Sequence, residues 1–183
     1  MNLKNQFLIA MPDLEESLFD QAVVLIVDHN DKGAMGLIIN LPGTTTRKGL
    51  FEKLKLPTET INRPDEPIIL GGPVATERGF VLHDGQQEWE NTLTVSDDLK
   101  LTTSTDILDS IARGEGPENW LFTLGYSGWE AGQLEDEIRQ NAWLTSPSDH
   151  RMIFEQPLDK RWQLALKQLG VQPEQITAFH GHA

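Results

Sequence analysis

Residues Ala22 to Val27 form an unbroken apolar run of strand length, rich in β-branched side chains. Such a run has no polar face to offer water, so it predicts a strand covered on both sides. The turn cluster Asn30-Asp31-Lys32-Gly33 follows, then a second apolar segment from Met35 to Ile39. Together the two segments predict a β-hairpin.

A second constraint is the glycine-linked aromatic stretch Gly125-Tyr126-Ser127-Gly128-Trp129, which continues into Ala131-Gly132-Gln133-Leu134-Glu135. Glycine beside large rings lets the backbone turn tightly while the rings bury area, so this stretch reads as a folding hub or a pocket wall. Its expected form is a tight turn feeding a helix.

Elsewhere the pattern alternates between strands and short helices. Strands are expected at Phe7 to Met11, Ile68 to Leu70, Phe80 to Leu82, Trp89 to Val95 and Trp120 to Leu124. Asp13 and Glu16 have capping-box spacing and predict a short helix through Leu18 and Phe19. Further helices are expected over 48–55, 103–113 and 159–169, with one more marked by Ala131, Leu134 and Ile138. Pro57, Pro64 and Pro67 bracket a long loop rather than a linker, and the chain reads as one domain over residues 1–183.

With 15 Lys and Arg against 28 Asp and Glu, the formal net charge is −13. That charge repels duplex DNA at long range and keeps a protein soluble. There is no cysteine, which excludes disulfides and thiolate chemistry and fits a reducing compartment. No apolar run is long enough for a membrane helix, and Phe7 to Met11 is too short for a signal-peptide core. A soluble cytoplasmic protein without membrane contact is the expectation.

The catalytic and metal motifs fail on inspection. Asp28-His29-Asn30-Asp31-Lys32-Gly33 begins like a calcium loop, yet Lys32 and Ile39 occupy positions that need oxygen ligands. Ser127 resembles the serine of a nucleophile elbow, but Trp129 replaces the required glycine, and no His partner follows from spacing, although His83 or His150 could approach it in space. Gly71-Gly72-Pro73 matches no phosphate-binding pattern and reads as a strand-end turn. Glu130, Glu135, Asp136 and Glu137 cluster near a helix start, where the macrodipole favours carboxylates without any function. The tail His180-Gly181-His182 offers two imidazoles but no built site. The basic residues Arg151, Lys160, Arg161 and Lys167 are not followed by a recognition helix, so direct DNA reading is disfavoured.

Several spaced blocks resemble the YqgE/AlgH family of small bacterial proteins. They are Phe7-Leu-Ile-Ala-Met-Pro12, the 20–40 hairpin with Gly33-Ala-Met-Gly36, and Gly71-Gly72-Pro73-Val74. They continue with Gly79-Phe-Val-Leu-His83, Leu101-Thr-Thr-Ser104, Leu124-Gly-Tyr-Ser-Gly-Trp129, Gly132-Gln133-Leu134-Glu135 and Asn141-Ala-Trp143. The resemblance implies a compact α+β domain with a bifurcated, partly barrel-like mixed β-sheet surrounded by helices, in bacterial cytoplasm. It carries over no catalytic residue, cofactor or metal. Its AlgH label implies a role in alginate-gene expression, which for an acidic chain is easier indirectly.

The functional expectation is a regulatory or interaction module that binds a protein or a small ligand, as a monomer or weak dimer. Candidate ligand-binding residues are Gly72, His83, Tyr126, Trp129, Gln133 and Glu135. The competing expectations are a hydrolase using Glu135 with His83 or Tyr126 in one cleft, and a direct DNA-binding regulator.

Overall fold

The computed structural model describes residues 1–11 and 17–174. The expected helix start at Asp13 and the histidine tail lie outside them. The strands β1 (Gln6–Ala10), β2 (Val23–Asn30), β3 (Gly33–Ile38) and β4 (Pro42–Thr46) come first, then helix α1 (Arg47–Lys53). Next are β5 (Pro67–Leu70), β6 (Val74–His83), β7 (Thr92–Ser96), β8 (Leu99–Thr102) and helix α2 (Asp106–Ala112). The chain continues through β9 (Trp120–Glu130), α3 (Gln133–Arg139), β10 (Trp143–Pro147), α4 (His150–Phe154), a single 3-10 turn and α5 (Arg161–Gln168).

The eleven-residue β9 is where the sheet forks. Along one edge its last four residues pair antiparallel with β3, while Thr123 and Leu124 pair in parallel with Ile69 and Leu70 of β5. The opposite edge carries β6, and β8 and β7 follow beyond it. On the other branch β3 leads through β2 and β1 to β10, all antiparallel. The result is a mixed α+β fold with a curled, half-barrel sheet, as the family resemblance implied.

Two glycine motifs make the fork possible. At Gly125 the backbone adopts φ +74°, and a Cβ there would come within 2.5 Å of the Gly72 carbonyl oxygen. At Gly72 a Cβ would lie 2.2 Å from the Tyr126 carbonyl carbon. Only Cα atoms that carry no side chain let β9 and the β5–β6 connection approach this closely. The expected tight turn at Ser127 is therefore corrected. β9 runs straight through it as strand, because β3 offers Ser127–Glu130 a ladder to pair with, and the turn falls at Ala131-Gly132.

The apolar side chains sort into three groups. Inside the curl, Phe7, Ile9, Val23, Leu25, Leu37, Leu82 and Leu101 pack under Met152, Ile153 and Phe154 of α4 and Ala165 and Leu166 of α5. The outer face of the β1–β2–β3 branch buries Leu8, Val24 and Ile26 against Trp129, Trp143 and Leu134 of α3. The outer face of the β6–β9 branch packs Val81, Trp120 and Phe122 against α1 and α2. β2 thus contributes alternate residues to two cores, which explains why its sequence lacks a polar face.

Two buried arginines tie the helices to the sheet. Arg161 donates from Nη1 to the Ile39 carbonyl at 2.5 Å and from Nε to Gln156 at 3.0 Å. Arg47 lies 4.0 Å over the Trp120 ring and donates to the Trp120 carbonyl at 2.6 Å. Burial lowers both guanidinium pKa values to about 10, still far above neutrality.

Candidate functional site

Trp129 and Tyr126 stand three residues apart on a strand, so they face opposite sides of the sheet. Trp129 packs on the outer cluster, 6.1 Å from the Trp143 ring and 6.5 Å from Phe19. Its Nε1 and that of Trp143 each donate to Glu137 Oε1 at 3.0 Å, and Gln133 Nε2 donates to Glu137 Oε2 at 2.9 Å. The second Gln133 side-chain atom, Oε1, accepts from the Glu130 N–H at 2.9 Å. With Trp129 only 7% exposed, this assembly is a closed structural knot.

Glu135 has a partner that sequence reasoning did not find. His29 Nδ1 accepts the Leu3 backbone N–H at 2.9 Å, which leaves the ring hydrogen on Nε2, aimed at Glu135 Oε1 at 2.7 Å. The pair is separated by 106 residues of chain, and nothing in local spacing could have signalled it. Asp136 pairs with Arg139. The acidic run is thus distributed among structural partners.

His83 lies elsewhere. It pairs with Trp120 at the first residue of β9, whereas Glu135 follows its end, so about 30 Å of strand separates the two levels. The proposed pairing of Glu135 with His83 in one cleft is not formed: Glu135 is bonded to His29 and His83 to Thr102. Tyr126 does not rescue it, because its side chain packs on the inner face against Phe80 while Glu135 is held on the outer side. His83 is fully buried. Its Nε2 and Thr102 Oγ1 are 2.7 Å apart, Nδ1 is 3.2 Å from the Asp84 carbonyl, and burial pushes the imidazole pKa below its ordinary value. Ser127, also buried, donates to the Gly71 carbonyl at 3.2 Å.

Among the imidazoles His150 has the most catalytic appearance. Its Nε2 lies 3.0 Å from Asp84 Oδ2, beside a recess of about 210 Å³ that Ser96 and Ser148 also border. Burial alone would raise the Asp84 pKa, but hydrogen bonds from Asn119 and His150 hold it below the ordinary carboxylate value. No hydroxyl among the described residues hydrogen-bonds His150, and Ser148 Oγ instead meets Asn5 Oδ1 at 2.6 Å. Among the described residues His150 therefore activates no hydroxyl nucleophile. Among the described residues no three His, Asp or Glu side chains converge on a cation position.

Two recesses border Tyr126, and a third, of about 460 Å³, lies along α5 beside Lys160, Leu164, Lys167 and Val171. One recess of about 510 Å³ is bordered by Asp28, Lys32, Met35, Val74, Tyr126 and the edge of Trp129. Another, of about 450 Å³, is formed by Met35, Arg78, Phe80, Leu93, Leu101 and Tyr126 with a polar rim. Met35 and Tyr126 line both, so the two recesses adjoin over the fork as a trough divided at Tyr126, with Val74 exposed on one side and Leu93 on the other. Tyr126 crosses the Phe80 ring edge-on at 5.9 Å, which fixes the shared wall.

The AlgH-like family model, DUF179, matches residues 7–174. The chain belongs to that family. UPF0301 proteins of Ralstonia nicotianae and Laribacter hongkongensis are 46% and 47% identical to it, over 100% and 99% of this chain and 96% and 97% of theirs. The solution structure of the AlgH protein from Pseudomonas aeruginosa superposes with a TM-score of 0.80 at 45% identity, covering 97% of this chain and 94% of that one. Protein DIP2367 of Corynebacterium diphtheriae, 17% identical, shares the fold with a TM-score of 0.73 over 91% of this chain and 86% of its own.

Of the six candidate residues, Tyr126 alone turns its side chain into the wall common to both recesses. Gly72 serves close backbone approach at the fork, and His83 is sealed in the interior. Trp129 borders the trough only at an edge, while Gln133 and Glu135 are engaged on the outer side. Met35, Val74, Arg78 and Leu93 were not singled out by sequence. They come from three strands, β3, β6 and β7, and only the curl of the sheet brings them together.

Proposed function

We propose that this AlgH-like protein is a regulatory or interaction module that performs no chemistry and engages its ligand or protein partner through the Tyr126 trough. One observation carries the reading: two partly apolar recesses meet at Tyr126, while His83, Ser127, Glu135 and His150 are each hydrogen-bonded to a neighbouring side chain or carbonyl outside them. An acidic chain with a sealed outer face supports an indirect role in transcription over promoter contact. α5 turns Arg161 inward to the sheet, and α4 is five residues long with Met152, Ile153 and Phe154 buried, so neither resembles a groove-reading helix.

The test replaces Val74 and Leu93, both exposed, by Asp. Wild type and the V74D/L93D variant are equilibrated with cell extract and re-isolated, and retained small molecules and proteins are compared by mass spectrometry. A species retained by wild type and lost by the variant, at unchanged melting temperature, supports the module. Identical retention by both proteins overturns it. Trp129→Ala is the wrong control here, because it would report on folding.

A further inference from the structure

Within the trough, the larger share of apolar surface lies in the Arg78 recess. Met35, Phe80, Leu93 and Leu101 supply its walls, Tyr126 one end, and Asn91, Thr92 and Thr103 its rim. No carboxylate lines it. In a chain of net charge −13, Arg78 has no ion-pair or hydrogen-bond partner among the described residues, and its guanidinium stands 5.7 Å over the Phe80 ring. Other arginines of the fold behave differently: Arg47, Arg63, Arg113, Arg139, Arg151 and Arg161 are held by carboxylates or backbone carbonyls. The ring contact orients the cation at the mouth of an apolar cup without neutralising it.

We propose that this recess binds a small amphipathic carboxylate, its hydrocarbon or aryl body between Leu93, Leu101, Phe80 and Met35 and its carboxylate on Arg78. The proposal rests on the binding-module reading and names the ligand chemistry of the same trough. A volume of about 450 Å³ is in the range of small-molecule sites. An unpaired guanidinium offers a planar fork that matches a carboxylate in two parallel hydrogen bonds. A peptide is the competing occupant, because β6 pairs with β8 only from Val81 to His83 and β7 has β8 as its single neighbour; the lone guanidinium beside an apolar wall favours the carboxylate, and a peptide probe separates the two.

The experiment follows methyl and ring signals of Met35, Leu93, Leu101 and Tyr126 by NMR during titration with sodium octanoate below its micelle concentration. 1-Octanol and a hydrophobic tetrapeptide with a free C-terminus are the comparison probes, on wild type and Arg78→Gln. Saturable octanoate shifts confined to these residues are expected. Octanol should bind about tenfold or more weakly, and R78Q should abolish the octanoate preference while leaving octanol unchanged. Equal binding of octanoate and octanol, no saturable shift, or tighter binding of the tetrapeptide than of octanoate would each overturn the carboxylate assignment. Should all three probes fail while the V74D/L93D variant still loses a retained species, the module stands and only this ligand class falls.

Discussion

Trp129 and Tyr126 sit three residues apart on one strand and have opposite fates. On the outer face, Trp129, Trp143 and Phe19 close around the Glu137 carboxylate, and two indole N–H groups share one oxygen. On the inner face, Tyr126 leans on Phe80 and keeps open space on either side. The outer face is sealed because α3 follows β9 directly and folds back over it, bringing Leu134, Gln133 and Glu137 onto the rings. The inner face stays open at the fork because the covering helices α4 and α5 contribute no residue to either recess there. Aromatic content therefore does not identify a site; what covers the ring does.

The largest expected effect strikes the sealed side. Trp129→Ala removes a buried indole and leaves Glu137 with one fewer donor, so it should cost about 3–5 kcal/mol in urea unfolding. A cost below about 1 kcal/mol would mean the indole is not sealed, and the contrast would collapse. Glu137→Ala is the finer probe. It strips both indole N–H groups of their acceptor at a half-buried position and should cost about 1–3 kcal/mol. If E137A proves neutral, water satisfies the indoles and the knot is looser than its distances imply.

The sequence displayed the fold well where residues act locally. The hairpin at 20–40 is readable because the apolar runs and the Asn30–Gly33 turn are contiguous, and Lys32 N–H does bond Asn30 Oδ1 at 2.8 Å. β9 was misread beyond Leu124 because glycine in a strand and glycine in a turn look alike. Only pairing with β3 decides between them. β10 and β8 were not foreseen as strands either, since Leu144 or Lys100 becomes strand only through a distant partner. The site was less legible still. Tyr126 was visible as an aromatic beside glycines, but Met35, Arg78 and Leu93 meet it through three other strands, and His29 meets Glu135 across most of the chain.

An intermediate effect comes from pH. Burial depresses the His83 pKa in the folded protein, so the native state prefers the neutral ring. Its stabilising contribution is complete above the unfolded value of about 6.5 and is lost as pH falls through the lower folded value. Unfolding free energy should therefore be level between pH 7 and 8 and decline as the solution is acidified below about 6.5, by on the order of 1 kcal/mol per unit for this group. His83→Gln should lower stability at pH 7.5 and flatten the slope. An unchanged slope would show that another group governs acid sensitivity, and that His83 is not part of the closed class.

The smallest effect is expected on the open side, and it decides whether that side is a site at all. Leu93 is 39% exposed and Arg78 loses only its contact with the Phe80 ring, having no ion-pair or hydrogen-bond partner among the described residues, so Leu93→Asp and Arg78→Gln should each change unfolding free energy by less than about 1 kcal/mol. A structural role would show as a larger cost. If R78Q or L93D instead costs 2 kcal/mol or more, roughly the range of buried-contact loss, the trough is a packing seam. Its two faces would then differ only in degree, and the inner face would have no better claim to a ligand than the outer one.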